Sequence, residues 1–307
     1  MINRNLIRIR VVQVVYAWYK NTTKDLLSAE KELMYSMQKS YDLYYYMLLL
    51  MVEVTNMYES RIEVKRSKLL PSQEDLNPNT RLIDNKFIQQ LKQNVQFNKY
   101  LAERPLVWDN NEPFVKKLLD SILASDLYKE YSDSETSTYE TDKEFWRKAF
   151  KQFIYLNEEL DDLLEDESIY WNDDVEIVQS FVLKTIKRFS EAEGSKQALL
   201  PMFKDEEDKQ YAITLLCNTI SNEKEYRTLI EQNVDKWDFD RISFMDLVIM
   251  QTALAEIETF KSIPISVSLN EYIEIAKSYS TPKSGLFING ILDAIVVKLK
   301  TENRIFK

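Results

Sequence analysis

An all-α fold is predicted by three observations on this 307-residue sequence. Glycine occurs only three times and proline seven, far below their usual combined share of about 12%, and hairpins and Gly-rich βα turns depend on those residues. Apolar side chains recur at helical spacing in the segments that flank the few breaks. Near the C-terminus, cap residues and a first-turn proline stand where the periodic runs begin. The apolar fraction of 45% is that of a folded globular chain, long enough for one or two domains.

The elements follow in order. Residues 6–19, "LIRIRVVQVVYAWY", are rich in β-branched and aromatic residues that favour a strand by propensity alone. Ile7, Val11, Val14, Val15 and Trp18 nevertheless share one helical face, with Arg4 and Arg8 four apart along its border, and in a chain this poor in turn residues the helix is preferred. Thr22 and Thr23 precede a second long helix over residues 28–68, whose aromatics and methionines read as buried core. Prolines mark loops at 69–80 and 104–113. Helices are expected at 84–102 and 112–131, a polar and mobile stretch at 132–141, and helices at 142–166 and 173–192. A break falls around Gly194 and Pro201.

The remaining segments are predicted as helices to the end of the chain. One begins near Asp205. Another, within 237–260, places Ile242, Met245, Ile249, Ala253 and Ile257 at helical spacing, with Asp240 as N-cap. Pro264 closes a loop, and Ser268 with Glu271 has the spacing of a capping box. Thr281 as N-cap and Pro282 in the first turn open a final helix reaching residue 300.

Composition also narrows the chemistry. Glycines at 194, 285 and 290 cannot write a dinucleotide fingerprint or a P-loop. With no histidine, Ser-His-Asp and Cys-His catalysis and most catalytic zinc sites are excluded. The single Cys217 lies in a helical run and reads as core rather than nucleophile. A non-enzymatic protein without cofactor or metal is expected. Arg4, Arg8 and Arg10 before an apolar run imitate a signal peptide, but Gln13, Tyr16, Trp18 and Lys20 interrupt it and no small-residue cleavage site follows. Residues 43–52 are about half of the ~20 needed to span a bilayer, so a cytoplasmic protein with no membrane partner is expected.

Net charge is −10, unevenly spread. Residues 1–24 carry Arg4, Arg8, Arg10, Lys20 and Lys24 without an acid, and the last residues carry Lys298, Lys300, Arg304 and Lys307 against Glu302. The acid is concentrated at 157–176, "NEELDDLLEDESIYWNDDVE", which holds ten carboxylates and no base. That stretch reads as a solvated face or as a docking surface for a basic protein.

The segment "TPKSGLFINGILD" (281–293) places two of the three glycines in a helix, where glycine costs stability. A helix beginning there puts free N–H groups and the positive dipole end beside Lys283 and Ser284, suited to a phosphate. Phe287 and Gly290 are i,i+3 neighbours, and the missing Cβ admits a backbone or a flat ring. A cation beside an aromatic suits single-stranded nucleic acid. Equally, Phe287 fits a core ring with both glycines serving close helix packing, and Arg4 with Arg8 fits a solvated helix start.

Taken together, the two ends resemble the NusB family of bacterial transcription antitermination factors. The resemblance is carried by Arg4, Arg8, Gln13, Tyr16 and Trp18 at the start. At the end it is carried by Trp237, Arg241, Asp246, Ala253 and Glu256, then Ile263-Pro264, "LNEYIEIAKSY" (269–279), Ser284, Phe287 and "NGILD" (289–293). It implies an all-α NusB-like bundle formed by residues 1–20 and 205–307, with residues 21–204 as a helical insertion. It further implies a non-catalytic RNA-binding factor that recognises single-stranded boxA RNA of ribosomal RNA operons with the ribosomal protein NusE, within the RNA polymerase antitermination complex. The RNA-binding residues carried over are Arg4, Arg8, Tyr16, Lys283, Ser284, Phe287 and Asn289. Lys283 stands where the family often has an acid, and Gln251 where it usually has a base. The alternatives are a protein-interaction scaffold that has lost RNA binding, and a methyltransferase accessory domain, disfavoured because the glycines of a methyl-donor loop are missing.

Overall fold

The computed structural model describes residues 1–22, 25–104, 106–234 and 242–305. Two compact units divide the chain, one of residues 2–38 and 202–307, the other of residue 1 with 39–201. Every regular element among the described residues is helical, and the sole extended pairing there is an isolated bridge between Ile2 and Phe203. The all-α prediction holds.

Helix α1 (Arg4–Lys20) is capped by Asn3, whose side chain accepts from the Leu6 N–H, and ends on Lys20, a cation suited to the negative dipole end. Its strand-like composition is overridden by period: Leu6, Ile7, Val11, Val12, Val14 and Val15 are buried together along it. Helix α2 (Leu26–Arg66) begins where the Asp25 carboxylate accepts from the Ser28 N–H and is continuous through the boundary between the units.

The unit of residues 39–201 uses the remainder of α2 as its spine. Tyr44, Tyr45 and Tyr46 are buried; Tyr45 stacks on Tyr100 at 3.7 Å and Tyr46 on Trp108 at 4.0 Å, so the aromatic stripe is core. After the short α3 (Gln73–Leu76), the helix expected over 84–102 is two, α4 (Lys86–Lys92) and α5 (Val95–Glu103). Asn94 makes the break: it is fully buried, its Oδ1 accepts from Phe97 N–H at 2.9 Å and its Nδ2 donates to the Gln197 carbonyl at 2.7 Å. A side chain that competes with the helix for backbone partners divides it.

The same device splits residues 112–131 into α6 (Glu112–Ala124) and α7 (Asp126–Asp133) at Ser125, which caps Tyr128. The stretch 132–141, expected to be mobile, is instead hydrogen-bonded in place: Arg81 donates to the carbonyls of Ser134 and Thr136, and Thr138 forms a capping box with Thr141 at the start of α8 (Tyr139–Ala149). A π-type turn over Phe150–Ile154 follows, then Leu156 at φ 54°, so residues 142–166 are broken before α9 (Glu158–Glu167). Helix α10 (Val175–Arg188) leads to a 3₁₀ turn at Glu191–Lys196 containing Gly194 at φ 49°.

In the other unit, α11 (Glu206–Ser221) starts as expected at Asp205, which caps Asp208, and α12 (Glu223–Gln232) follows. Helix α13 (Phe244–Thr259) is capped by Ser243; Asp240, proposed from sequence as its cap, lies outside the described residues with Trp237 and Arg241, as do Thr23, Lys24 and Lys307. Helix α14 (Ile265–Tyr279) begins after Pro264 without a side-chain cap. The Ser268–Glu271 capping box is not formed, because the helix begins earlier, after Pro264, and Ser268 already lies inside it with its N–H on the Pro264 carbonyl. Helix α15 (Ser284–Thr301) starts two residues later than a Thr281 cap would place it. Thr281 still binds Ser284, with the two hydroxyl oxygens 2.9 Å apart.

Every residue from Asp246 to Ile257 of α13 is buried. A helix apolar all round must be surrounded, and α1, α11, α12, α14 and α15 pack against it. The two ends of the sequence are thereby joined in one bundle.

The glycines separate by environment. At Gly194 an added Cβ would meet nothing within 4 Å but would occupy a left-handed backbone; at Gly290 it would also meet nothing, within an ordinary helix. Gly194→Ala should therefore lower unfolding free energy by about 1 kcal/mol or more, whereas Gly290→Ala should raise it by about 0.5–1 kcal/mol. Urea unfolding of the two variants checks the opposite signs.

Candidate nucleic-acid interface

The sequence-predicted residues fall into two groups, sorted by the ends of α13. At its C-terminal end Arg8, only 4% exposed, forms a two-pronged pair with Glu256, itself 0% exposed: Nε to Oε2 at 2.8 Å and Nη2 to Oε1 at 3.0 Å. Arg8 Nη1 reaches Glu271 Oε2 at 3.3 Å. Glu256 also accepts from the Tyr211 hydroxyl, from Ser268 Oγ at 2.7 Å and from the Tyr272 hydroxyl at 3.2 Å. Ser268 and Glu271 are thus spent on this network rather than on capping α14.

Burial alone would push the Glu256 carboxyl up, but the bonds from Arg8, Tyr211 and Ser268 outweigh it and hold the group below the ordinary carboxylate value. Burial likewise opposes the Arg8 charge, and Glu256 more than restores it, so the guanidinium stays protonated. Arg8, expected to face RNA, is an interior residue instead: its guanidinium is spent on the buried Glu256 and the partly exposed Glu271. Arg4 lies further along the same helix, with Nε on Asp208 at 3.0 Å and Nη2 on Glu207 at 2.8 Å. Its side chain is 33% exposed, so it borders the surface but is already paired.

A different set gathers at the N-terminal end of α13. The Tyr16 ring meets Phe244 edge-on at 5.1 Å, and the Lys20 ammonium sits 4.3 Å from the Phe244 centroid and 5.8 Å from that of Tyr16. The start of α15 arrives at the same place. Ser284, 2% exposed, donates to Asp246 Oδ2 at 2.9 Å, and Ser280 Oγ lies 3.1 Å from Ser243 Oγ. Ser284 is therefore an anchor beneath the surface, not a contact on it.

Above that anchor Lys283 is exposed, Phe287 and Asn289 are half-buried, and Leu286 is 84% exposed. Asn289 Nδ2 is 3.2 Å from Asp293 Oδ2. Lys20 and Lys283 have no ion-pair partner among the described residues. Gly285 lies close against α14, where a Cβ would come within 3.3 Å of Lys277 Cγ and 3.5 Å of Ile273 Cγ2 and the lysine side chain would have to shift, whereas Gly290 opens space at the exposed edge. Of the two glycines, one serves helix packing and one does not.

Asp246 and Glu256 are ten positions apart on α13, about 15 Å of helix. The arginines and the Lys283–Asn289 segment are consequently brought to opposite ends of one helix rather than side by side. Sequence reasoning missed Phe244, the ring on which the end of α1 gathers; its signal was an aromatic placed immediately after the Ser243 cap. Gln251, singled out as a departure from the family's usual base, is buried and donates to the Glu223 carbonyl. Cys217 donates to Glu30 at 3.1 Å, and burial with that carboxylate pushes its thiol up to about 12. No group of metal-binding side chains occurs among the described residues, and no described helix is long and apolar enough to cross a membrane.

An all-α bundle presenting half-buried rings, an amide and lysines without ion-pair partners among the described residues has its candidate site on a binding surface. The profile of the NusB family matches residues 173–297. The transcription antitermination protein NusB of Salinibacter ruber is 36% identical over 132 residues, 41% of this chain and 82% of the relative. That of Listeria monocytogenes (serotype 4a) is 43% identical over 96 residues, 31% of this chain and 74% of the relative. A solved structure of T. maritima NusB is 32% identical, covers 39% of this chain and 75% of its own, and has a TM-score of 0.29. The chain belongs to the NusB family of transcription antitermination proteins, with additional helices.

The buried pair sets a pH and mutational expectation. A carboxyl held below its unfolded value stabilises the fold above that value and loses the contribution as pH falls through the folded one, so stability should decline below about pH 4.5 as Glu256 protonates. Glu256→Gln leaves Arg8 buried without a counter-charge and should cost about 3–5 kcal/mol at neutral pH. Urea denaturation across pH, for both proteins, tests this; a variant as stable as the parent would show that the pair is dispensable.

Proposed function

We propose that this protein is a non-enzymatic RNA-binding antitermination factor that takes single-stranded boxA RNA at the N-terminal end of α13, together with the ribosomal protein NusE, within the RNA polymerase antitermination complex. The observation that carries the reading is that Tyr16 and Lys20 on Phe244, and the start of α15 through Ser284 on Asp246, lie at the same end of α13. Lys20 and Lys283, without ion-pair partners among the described residues, supply the phosphate attraction that a chain of net charge −10 otherwise lacks. Phe287, Tyr16 and Asn289 supply ring faces and edge hydrogen bonds for unpaired bases. Arg4 lies at the other end of α1 from Tyr16 and Lys20, paired with Asp208 and Glu207; Arg8 and Ser284 support the surface from within.

The domain assignment belongs to the same reading. Residues 1–20 with 205–307 form the RNA-binding NusB-like domain, and residues 21–204 are a helical insertion partly extending the bundle.

Fluorescence anisotropy of labelled boxA RNA, with and without NusE, at two salt concentrations tests the proposal. Lys20→Ala and Lys283→Ala should each weaken binding and reduce the salt slope by about 0.7, and Phe287→Ala should cost about 1–3 kcal/mol if a base stacks there. Retention of full affinity and slope in the double lysine variant would place the RNA elsewhere. No binding under any of these conditions would favour the scaffold reading.

A further inference from the structure

A groove of about 380 Å³ lies in the unit of residues 39–201, between α6 and the turn that leads into α9. Phe114 and Leu118 line one wall and Phe153, Tyr155 and Leu156 the other. Leu156 is 56% exposed. Its backbone is fixed at φ 54° with its N–H on Gln179 Oε1 at 3.1 Å, so the leucine is held out at the rim rather than folded inward. Ile169, beyond the end of α9, is 78% exposed.

Charge decides what such a groove accepts. Glu158 and Glu159 close the rim where α9 begins, and α9, sequence EELDDLLEDE, turns Leu160 and Leu164 inward. Glu158, Asp162, Glu165 and Asp166 recur at helical spacing on its exposed face and have no ion-pair partner among the described residues. Asp161 Oδ1 has no hydrogen-bond partner. Burial, then the neighbouring Asp162 and Glu158, push the Asp161 carboxyl up. The one cation at the groove, Lys117, is already on Glu159 at 2.5 Å.

We propose that this groove docks a Lys/Arg-rich protein segment, an apolar or aromatic side chain of the segment seating against Phe114, Leu118, Phe153 and Leu156 while its cations pair with the open carboxylates of α9. Charge complementarity excludes an RNA from this site, because phosphates would face carboxylates that nothing neutralises. The inference goes beyond the RNA reading and stands if that reading fails.

The full-length protein and a fluorescein-labelled synthetic amphipathic peptide of leucine and lysine, with a leucine–glutamate peptide as control, provide the test by fluorescence anisotropy. Leu156→Asn removes the apolar rim but suits the left-handed backbone, so its thermal midpoint should equal or exceed the parent's while affinity for the lysine peptide falls about fivefold. Glu158→Gln/Asp162→Asn/Glu165→Gln should weaken binding by about tenfold and flatten its salt dependence. Glu63→Gln/Glu302→Gln, distant in sequence, should change it by less than about twofold. The proposal is overturned if the lysine peptide does not bind at low salt, if the glutamate peptide binds as well, or if both groove variants bind like the parent.

Discussion

The buried pairing of Arg8 with Glu256 is the constraint on which the NusB-like unit depends. Two charges removed from water are tolerated only when each is fully satisfied, and here one carboxylate takes two prongs of a guanidinium and three hydroxyls. Those partners come from α1, α11 and α14 onto α13, so a single group ties the first helix of the chain to three helices of its last third. Packing of apolar stripes can slide by a turn at modest cost. A two-pronged ion pair in the interior cannot, and it sets the register of α1 against α13.

That register has a functional consequence. With Arg8 fixed at Glu256, the far end of α1 must reach the start of α13, which delivers Tyr16 and Lys20 to Phe244. Ser284 on Asp246 delivers the start of α15 to the same end. The interior residues of the predicted site therefore position the exterior ones. The acidic helix α9 belongs to the other unit, where carboxylates without ion-pair partners among the described residues adjoin a groove of mixed aromatic, aliphatic and polar lining. Most of the net negative charge thus lies in the unit of residues 39–201, while the NusB-like unit is close to neutral.

The legible and illegible parts divide by the range of the interaction. Helix α11 and its Asp205 cap were readable because cap, first turn and apolar period all lie within a few residues of one another. The splits at Asn94 and Ser125 were not. Asn94 ends one helix and starts another because a carbonyl of Gln197, remote in sequence, accepts its amide. Ser268 and Glu271 have the spacing of a capping box, yet α14 begins earlier, after Pro264, and their side chains meet Glu256 and Arg8 from distant segments instead. Likewise Gly285 and Gly290 look alike in sequence, and only the neighbouring helix distinguishes them.

By itself the sequence determined an all-helical chain, the poverty of catalytic side chains, the uneven charge and the family resemblance of its two ends. Each of these rests on residue type or on spacing within a few turns, which a linear string records in full. Only the tertiary structure decided which arginine is a strut and which lysines remain open, because that choice depends on whether a carboxylate from a distant segment arrives within hydrogen-bond reach. Arg8 met Glu256 and was withdrawn from the surface; Lys20 and Lys283 meet no carboxylate among the described residues and remain exposed.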